Sequence, residues 1–337
     1  MLKVFDRRQL LHSPAVEMQN GAWVPYNENA SRAEMIAGRL GALTPASDFG
    51  HAPLERVHTP TYLGFLASAH DRWTEAGREG DAIAYTWPVV RRRPLHLKRI
   101  DAQLGLYSYD AGTPIAAGTW EGGYWSAQTA LTGLQPLLDG TAHTAFALCR
   151  PPGHHAGADY LGGYCYLNNA AIAARAASDA GRGRVAILDI DYHHGNGTQD
   201  IFYGAGDVFF ASIHADPVTD YPFFWGHADE TGEADGEGTT LNLPLARGAA
   251  LPAYLEALSR ALGAIADFAP SLLIVSFGAD TFEGDPISHF ALRQADYPRL
   301  AEAIGQLGFP TLVVMEGGYA VEALGDNVAG FLDGFGG

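Results

Sequence analysis

Near the middle of the chain, Asp189-Ile190-Asp191-Tyr192-His193-His194-Gly195-Asn196-Gly197 sets two carboxylates and an imidazole at alternating positions. The segment closes an apolar run that begins at Val185, and in extended backbone alternate residues share a face. Asp189, Asp191 and His193 then project to one side, Ile190 and Tyr192 to the other. Two carboxylates buried together are costly unless a cation neutralises them, so this strand end calls for a metal ion. Another candidate strand ends in Ser276-Phe277-Gly278-Ala279-Asp280 and offers a third ligand. Asp191, His193 and Asp280 leave a coordination position open for water, as a hydrolytic metal centre requires. The same oxygen and nitrogen donors accept Fe²⁺ or Co²⁺.

Two further strand ends carry complementary groups. Arg150-Pro151-Pro152-Gly153-His154-His155 places adjacent histidines after a glycine turn, poised to share work as proton acceptor and proton donor. Asp189 is a natural partner to orient one imidazole, and Asn196 is able to accept from the other. Which histidine takes which step stays open at this level. The last strand runs into Glu316-Gly317-Gly318-Tyr319, where a phenol past a Gly-Gly hinge is placed to donate to an oxyanion opposite the metal. Taken singly, a turn aspartate, a loop His-His pair and a tyrosine after two glycines are ordinary surface features. Their joint occurrence gives them weight.

The elements that must position these groups read as a parallel α/β sheet, because short apolar runs alternate with longer stretches of helical period from about Thr144 onward. Strands are expected at 144–148, 185–191, 207–214, 272–277 and 311–315, several apolar on both faces as buried parallel strands are. Helices are expected at 168–180, stopped by Gly181, at 250–268 and at 297–307 before Gly308 and Pro310. Earlier, 30–40, 61–69 and 119–138 have helical composition. The interval Arg72 to Gly118 contains Trp87-Pro88 and the basic run Arg91-Arg92-Arg93-Pro94, and reads as an extended loop rather than a core element.

The motifs together resemble the histone deacetylase superfamily: Arg-Pro-Pro-Gly-His-His, Asp-Ile-Asp-Tyr-His-His-Gly-Asn-Gly and Glu-Gly-Gly-Tyr stand in that family's order over residues 140 to 330. Tyr107-Ser108-Tyr109-Asp110-Ala111-Gly112-Thr113-Pro114-Ile115, Gly118-Thr119-Trp120-Glu121 and 221–230 are similar to its acetylpolyamine amidohydrolase branch. The resemblance implies a single domain over residues 1–337, a three-layer αβα fold around a mostly parallel sheet, shared with the arginase-type ureohydrolases. It implies zinc on Asp191, His193 and Asp280, His154 and His155 as the histidine pair with Asp189 and Asn196 beside them, and Tyr319 polarising the acetyl carbonyl. A structural K⁺ is implied at Asp189 and Ser212, with backbone oxygens of Asp191, His193 and Ile213.

Tyr164 and Tyr221 match aromatic walls of the substrate tunnel, and such faces suit an alkyl chain and a cation. Gly163 and Gly317 accompany them as substrate-side positions. Glu121 resembles an acidic residue that greets a distal ammonium, although a carboxylate in a first helical turn also satisfies the dipole. In that branch the long loop builds a dimer, so 72–118 is the expected insertion and homodimer contact. Asn196 and the absence of further Asp-rich motifs leave a second manganese short of ligands, which disfavours a guanidino-hydrolase. The rival activities are a class II-like protein acetyl-lysine deacetylase and a catalytically inactive binding module.

Charge narrows the partners further. Acidic residues outnumber basic ones 38 to 21, a formal net charge of −17. Phosphate binding needs clustered Lys and Arg, so nucleic acid is not expected, whereas a small cationic acetylated amine is drawn to such a surface. Cys149 and Cys165 form no CxxC pair and read as small buried hydrophobes in a reducing cytoplasm. The charged stretch MLKVFDRRQLLHSP lacks the apolar core of a signal peptide, and no run of about 18 apolar residues suggests a membrane span.

Overall fold

The computed structural model describes residues 1–88 and 95–336; the basic run at 91–94 lies outside them. Among the described residues the chain runs β1 (Leu2–Val4), β2 (Val16–Gln19), β3 (Ala22–Pro25), α1 (Ser31–Leu40), α2 (Ala52–Glu55), α3 (Pro60–Glu75), α4 (Ile100–Tyr107), α5 (Thr119–Leu138), β4 (Thr144–Ala147), α6 (Asn169–Ala177), β5 (Val185–Asp189), α7 (Asn196–Phe202), β6 (Val208–Ala215), β7 (Thr240–Leu245), α8 (Leu251–Phe268), β8 (Leu272–Phe277), α9 (Tyr297–Gly305), β9 (Thr311–Met315) and α10 (Val321–Asp333).

Strands β5, β8 and β9 are buried along their whole length, which a strand achieves only when both sheet faces are covered. Their alternation sorts the core in two. Val185, Ile187, Ile274 and Val314 pack toward α3, α5 and α6, while Ala186, Leu188, Val275 and Met315 pack toward α1, α8, α9 and α10. Helices thus lie on both sides of one sheet, in the strand order β1-β4-β9-β8-β5-β6-β7 with every neighbour parallel. Strands β2 and β3 form a separate antiparallel hairpin. In register, Asp189 stands level with Ser212 on β6 and Ser276 on β8, so the carboxyl ends of the central strands open onto one rim.

The strands expected at 272–277 and 311–315 form with those bounds. The two edge strands escape the sequence pattern: β1 has three residues, and β7 carries Pro244, which a sheet tolerates at an edge. The larger difference concerns the interval from Arg72 to Gly118. It is not simply an extended loop: α3 runs into it as far as Glu75, α4 lies within it, and Ala82, Ala84, Ile100, Leu104 and Ile115 join the core. Its apolar residues are sparse, so no helical period stands out, but they reach a face that α3 and α5 leave open. Among the described residues no helix is long and apolar enough to cross a membrane.

Candidate active site

Past the end of β5 the chain turns so that Asp191 and His193 meet Asp280 from the end of β8. His193 Nδ1 lies 3.1 Å from Asp280 Oδ2 and 3.4 Å from Asp191 Oδ1. Backbone amides hold the carboxylates: Tyr192 N–H donates to Asp280 Oδ1 at 2.9 Å, His193 N–H to Asp191 Oδ1 at 2.9 Å, and Gly317 N–H to Asp191 Oδ2 at 2.8 Å. A Cβ on Gly317 would stand 2.5 Å from one carboxylate and 2.6 Å from the other, so only glycine passes here. Both carboxylates have no exposure, and among the described residues neither pairs with lysine or arginine. Burial and the neighbouring Asp191 charge push the Asp280 carboxyl up. Two buried carboxylates and an imidazole, with donor atoms within 4.8 Å of one another, form a donor set that fits a divalent cation.

The histidine pair follows β4. Its loop is tied from below, where Ser126 Oγ on α5 donates to the Pro151 carbonyl at 2.9 Å and the Glu316 carboxylate accepts from Gly153 and His154 N–H at 2.7 and 3.1 Å. His154 Nδ1 lies 3.0 Å from Asp189 Oδ2, and His155 Nδ1 lies 2.7 Å from Asn196 Oδ1. The two imidazoles therefore differ electrically. Burial opposes charge on both, but Asp189 and Asp191 override it at His154 and raise it to about 10. His155 has only a neutral amide, and burial with the neighbouring His154 charge holds it well below the ordinary histidine value.

Tyr319 reaches the same place from β9. Asp285 Oδ2 accepts from its N–H at 2.7 Å, and the Arg32 guanidinium lies 4.8 Å from its ring centroid. Arg32 is itself held by the buried Glu28 and donates to the carbonyls of Gly318 and Glu316. Tyr319, His155, His193, Gly163, Tyr164 and Tyr221 line one pocket of 340 Å³, together with Glu17 and Asp110. Tyr164 sits at φ 65° and its hydroxyl donates to Glu17 Oε1 at 3.0 Å.

A Histone deacetylase domain profile matches residues 27–335. The chain belongs to the histone deacetylase family. It is 50% identical over 340 residues to acetylpolyamine amidohydrolase 2 of Pseudomonas aeruginosa, covering 99% of this chain and 98% of that one. It is 46% identical to the acetylpolyamine amidohydrolase of Mycoplana ramosa over the full length of both. The crystal structure of an acetylpolyamine aminohydrolase from Burkholderia pseudomallei superposes with a TM-score of 0.95 at 40% identity, covering 100% of this chain and 98% of that one. The fold is therefore the arginase/deacetylase type, and the chain is an enzyme that deacetylates amides. Membership in the histone deacetylase family implies a divalent metal, which agrees with the donor set at Asp191, His193 and Asp280.

Within that family frame, most of the expected site residues converge. Asp191, His193 and Asp280 cluster, Asp189 and Asn196 each meet one histidine, and Gly163, Tyr164, Tyr221 and Tyr319 wall the pocket. Gly317 sits behind the carboxylates rather than on the pocket wall, and Ser212 lies beside Asp189 with its hydroxyl 2.8 Å from His214 Nδ1. Glu121 does not join them. It occupies the first turn of α5, accepts from Trp125 Nε1 at 2.7 Å and is absent from the pocket wall.

One acidic wall residue that sequence reasoning missed is Glu17 on β2. Burial pushes it up to about 7 against the hydrogen bonds from Tyr164 and Asn27. Nothing local flags it, because a lone glutamate in a short polar strand resembles any solvated one. A second trio, His154, Cys165 and Glu316, also lies within 4.8 Å, but Glu316 is taken up by the two amides and by the Ser276 hydroxyl.

Proposed function

We propose that this enzyme hydrolyses the acetamide of small acetylated polyamines, releasing acetate and the free amine, with zinc on Asp191, His193 and Asp280. The observation that carries the substrate class is Glu17: it lines the pocket, and its Oε2 is buried with no hydrogen-bond partner, while Oε1 is engaged by Tyr164 and Asn27. An unpaired buried carboxylate oxygen is costly, and an ammonium on the far end of the substrate would satisfy it. The names of the relatives from Pseudomonas, Mycoplana and Burkholderia support the same class.

When bound, the ion supplies Lewis-acid chemistry, acidifying water and polarising the acetyl carbonyl. The rest falls to this chain's side chains. His155 faces the pocket, and with its Nδ1 given to Asn196 its Nε2 is free to take the proton of the attacking water. It returns a proton to the amine nitrogen as the C–N bond breaks. His154, held charged by Asp189, stays a fixed positive neighbour. The Tyr319 hydroxyl donates to the developing oxyanion. K⁺ at Asp189 and Ser212 would offset the remaining carboxylate charge.

The dimer reading rests on an apolar groove beside the mouth. Trp23, Tyr85 and Trp87 stand 59%, 65% and 39% exposed around it, and Met18 and Ala111 line both groove and pocket. A second copy seated there would narrow the entrance to slender amines. Two free buried cysteines accord with a reducing cytoplasm.

The deciding experiment compares N-acetylputrescine, N-acetylcadaverine and N-acetylspermidine with an acetyl-lysine peptide on zinc-loaded protein, with metal-stripped protein as control. Preference for the free polyamines is expected. Preference for the peptide would make the enzyme a class II-like protein deacetylase, and no metal-dependent turnover of any of the four would assign it a different amide.

A further inference from the structure

We propose that Asp110 is a positioning residue that clamps the two walls enclosing His155; the inference rests on His155 serving as the proton acceptor. Asp110 follows α4, and the sequence assigns it no individual role. Its Oδ2 accepts from two walls at once: the N–H of Gly163 at 2.7 Å and the hydroxyl of Tyr221 at 2.8 Å. Those walls flank the imidazole. Tyr221 meets His155 edge-on, with ring centroids 5.3 Å apart and an interplanar angle of 83°. Gly163 presses so closely on the same imidazole that a Cβ there would collide with the His155 ring.

Proton counting, with Asp110 ionised, sets the direction of the network. The Tyr221 and Tyr109 oxygens lie 2.5 Å apart. Tyr221 has one proton; burial pushes the Asp110 carboxyl up while its donors Gly163 N–H, Tyr221 and Gly112 N–H pull it back, and in its ionised form it is a stronger acceptor than a phenol. Tyr221 therefore donates to Asp110, and Tyr109 donates to the Tyr221 oxygen. The Tyr109 hydroxyl also lies 3.4 Å from Asn196 Oδ1, the atom that receives His155 Nδ1–H. One carboxylate thus gathers a loop after β6, a loop after β4 and the segment after α4 around a single imidazole.

The rival role for a carboxylate on this wall is direct capture of the substrate ammonium. Geometry favours the clamp, because Oδ2 already accepts twice and Oδ1 accepts from Gly112 N–H at 3.1 Å. A clamp acts on turnover of any acetamide, whereas an ammonium receptor acts on binding of cationic ones.

The test measures kcat and KM of the zinc-loaded enzyme for N-acetylputrescine and for neutral N-butylacetamide, in wild type, D110A, D110N, Y221F and D110A/Y221F. D110A is expected to lower kcat by roughly 10²-fold on both substrates, the cost of a misplaced catalytic group. D110N, which keeps one acceptor oxygen, should recover part of the loss and stands in if D110A fails to fold. The double variant should be no slower than D110A, since Tyr221 acts through Asp110. In crystals of D110A the Tyr221 ring should leave its edge contact with His155. A rise in KM confined to N-acetylputrescine, additive losses in the double variant, or wild-type kcat in D110A would each overturn the clamp. An unmoved Tyr221 ring would do so even if these amides prove to be the wrong substrates.

Discussion

The floor and the mouth of the pocket are built from different kinds of sequence. At the floor, Asp189, Asp191, His193, Asp280 and Tyr319 stand at or just past the ends of β5, β8 and β9, and His154 and His155 close a loop after β4. A parallel sheet brings its carboxyl ends level, so short local motifs are enough to assemble chemistry there. At the mouth, Tyr164 meets Glu17 across 147 positions and Tyr221 meets Asp110 across 111. None of these residues carries a motif that names its partner. Chemistry is thus written compactly in this chain, and access to it is written diffusely.

Breaking the floor should have the largest effect. Asp280→Ala leaves Asp191 and His193 without their third partner, and we expect bound zinc per chain, measured by elemental analysis, to fall with activity. A fully metallated, active Asp280→Ala protein would remove Asp280 from the metal site. Tyr319→Phe should come next, with kcat down by roughly 10²–10³, about 2.7–4 kcal/mol for one lost oxyanion donor. Metal content should stay unchanged in this variant. Normal turnover by Tyr319→Phe would leave the phenol a packing group against Tyr164, whose ring centroid lies 5.6 Å away.

The same contrast explains what the sequence made legible. The central strands and α5 announce themselves because a strand buried on both faces is apolar throughout, and a long buried helix admits few charges. The candidate metal ligands and the histidine pair are legible because each follows such a strand. Residues 72–118 were misread because α4 buries only Ile100, Asp101, Leu104 and Gly105, too few apolar positions to show a period. Glu121 is ambiguous in sequence for a related reason. A glutamate in a first helical turn satisfies the dipole equally well whichever way the helix faces, and α5 turns it toward Trp125 and the Arg8 that stacks on that ring.

The two glutamates give the finest test of how the mouth works. Burial raises Glu17 to about 7, so its charged form fills in as pH rises through that value and is lost below it. If Glu17 receives the distal ammonium, KM for N-acetylputrescine should climb as pH falls from about 8 to about 6, while KM for N-butylacetamide stays level. Glu17→Gln should abolish that difference and raise KM for the cation by tenfold or more, in line with about 1.5–3 kcal/mol for a hydrogen bond to a charged group. Glu121→Gln should leave both profiles as they are, since its carboxylate serves Trp125 rather than the pocket. A selective loss in Glu121→Gln with an unaffected Glu17→Gln would reverse the assignment. It would mean that the first turn of α5 swings toward the mouth when substrate binds, and that the free Oε2 of Glu17 is satisfied by something other than an amine.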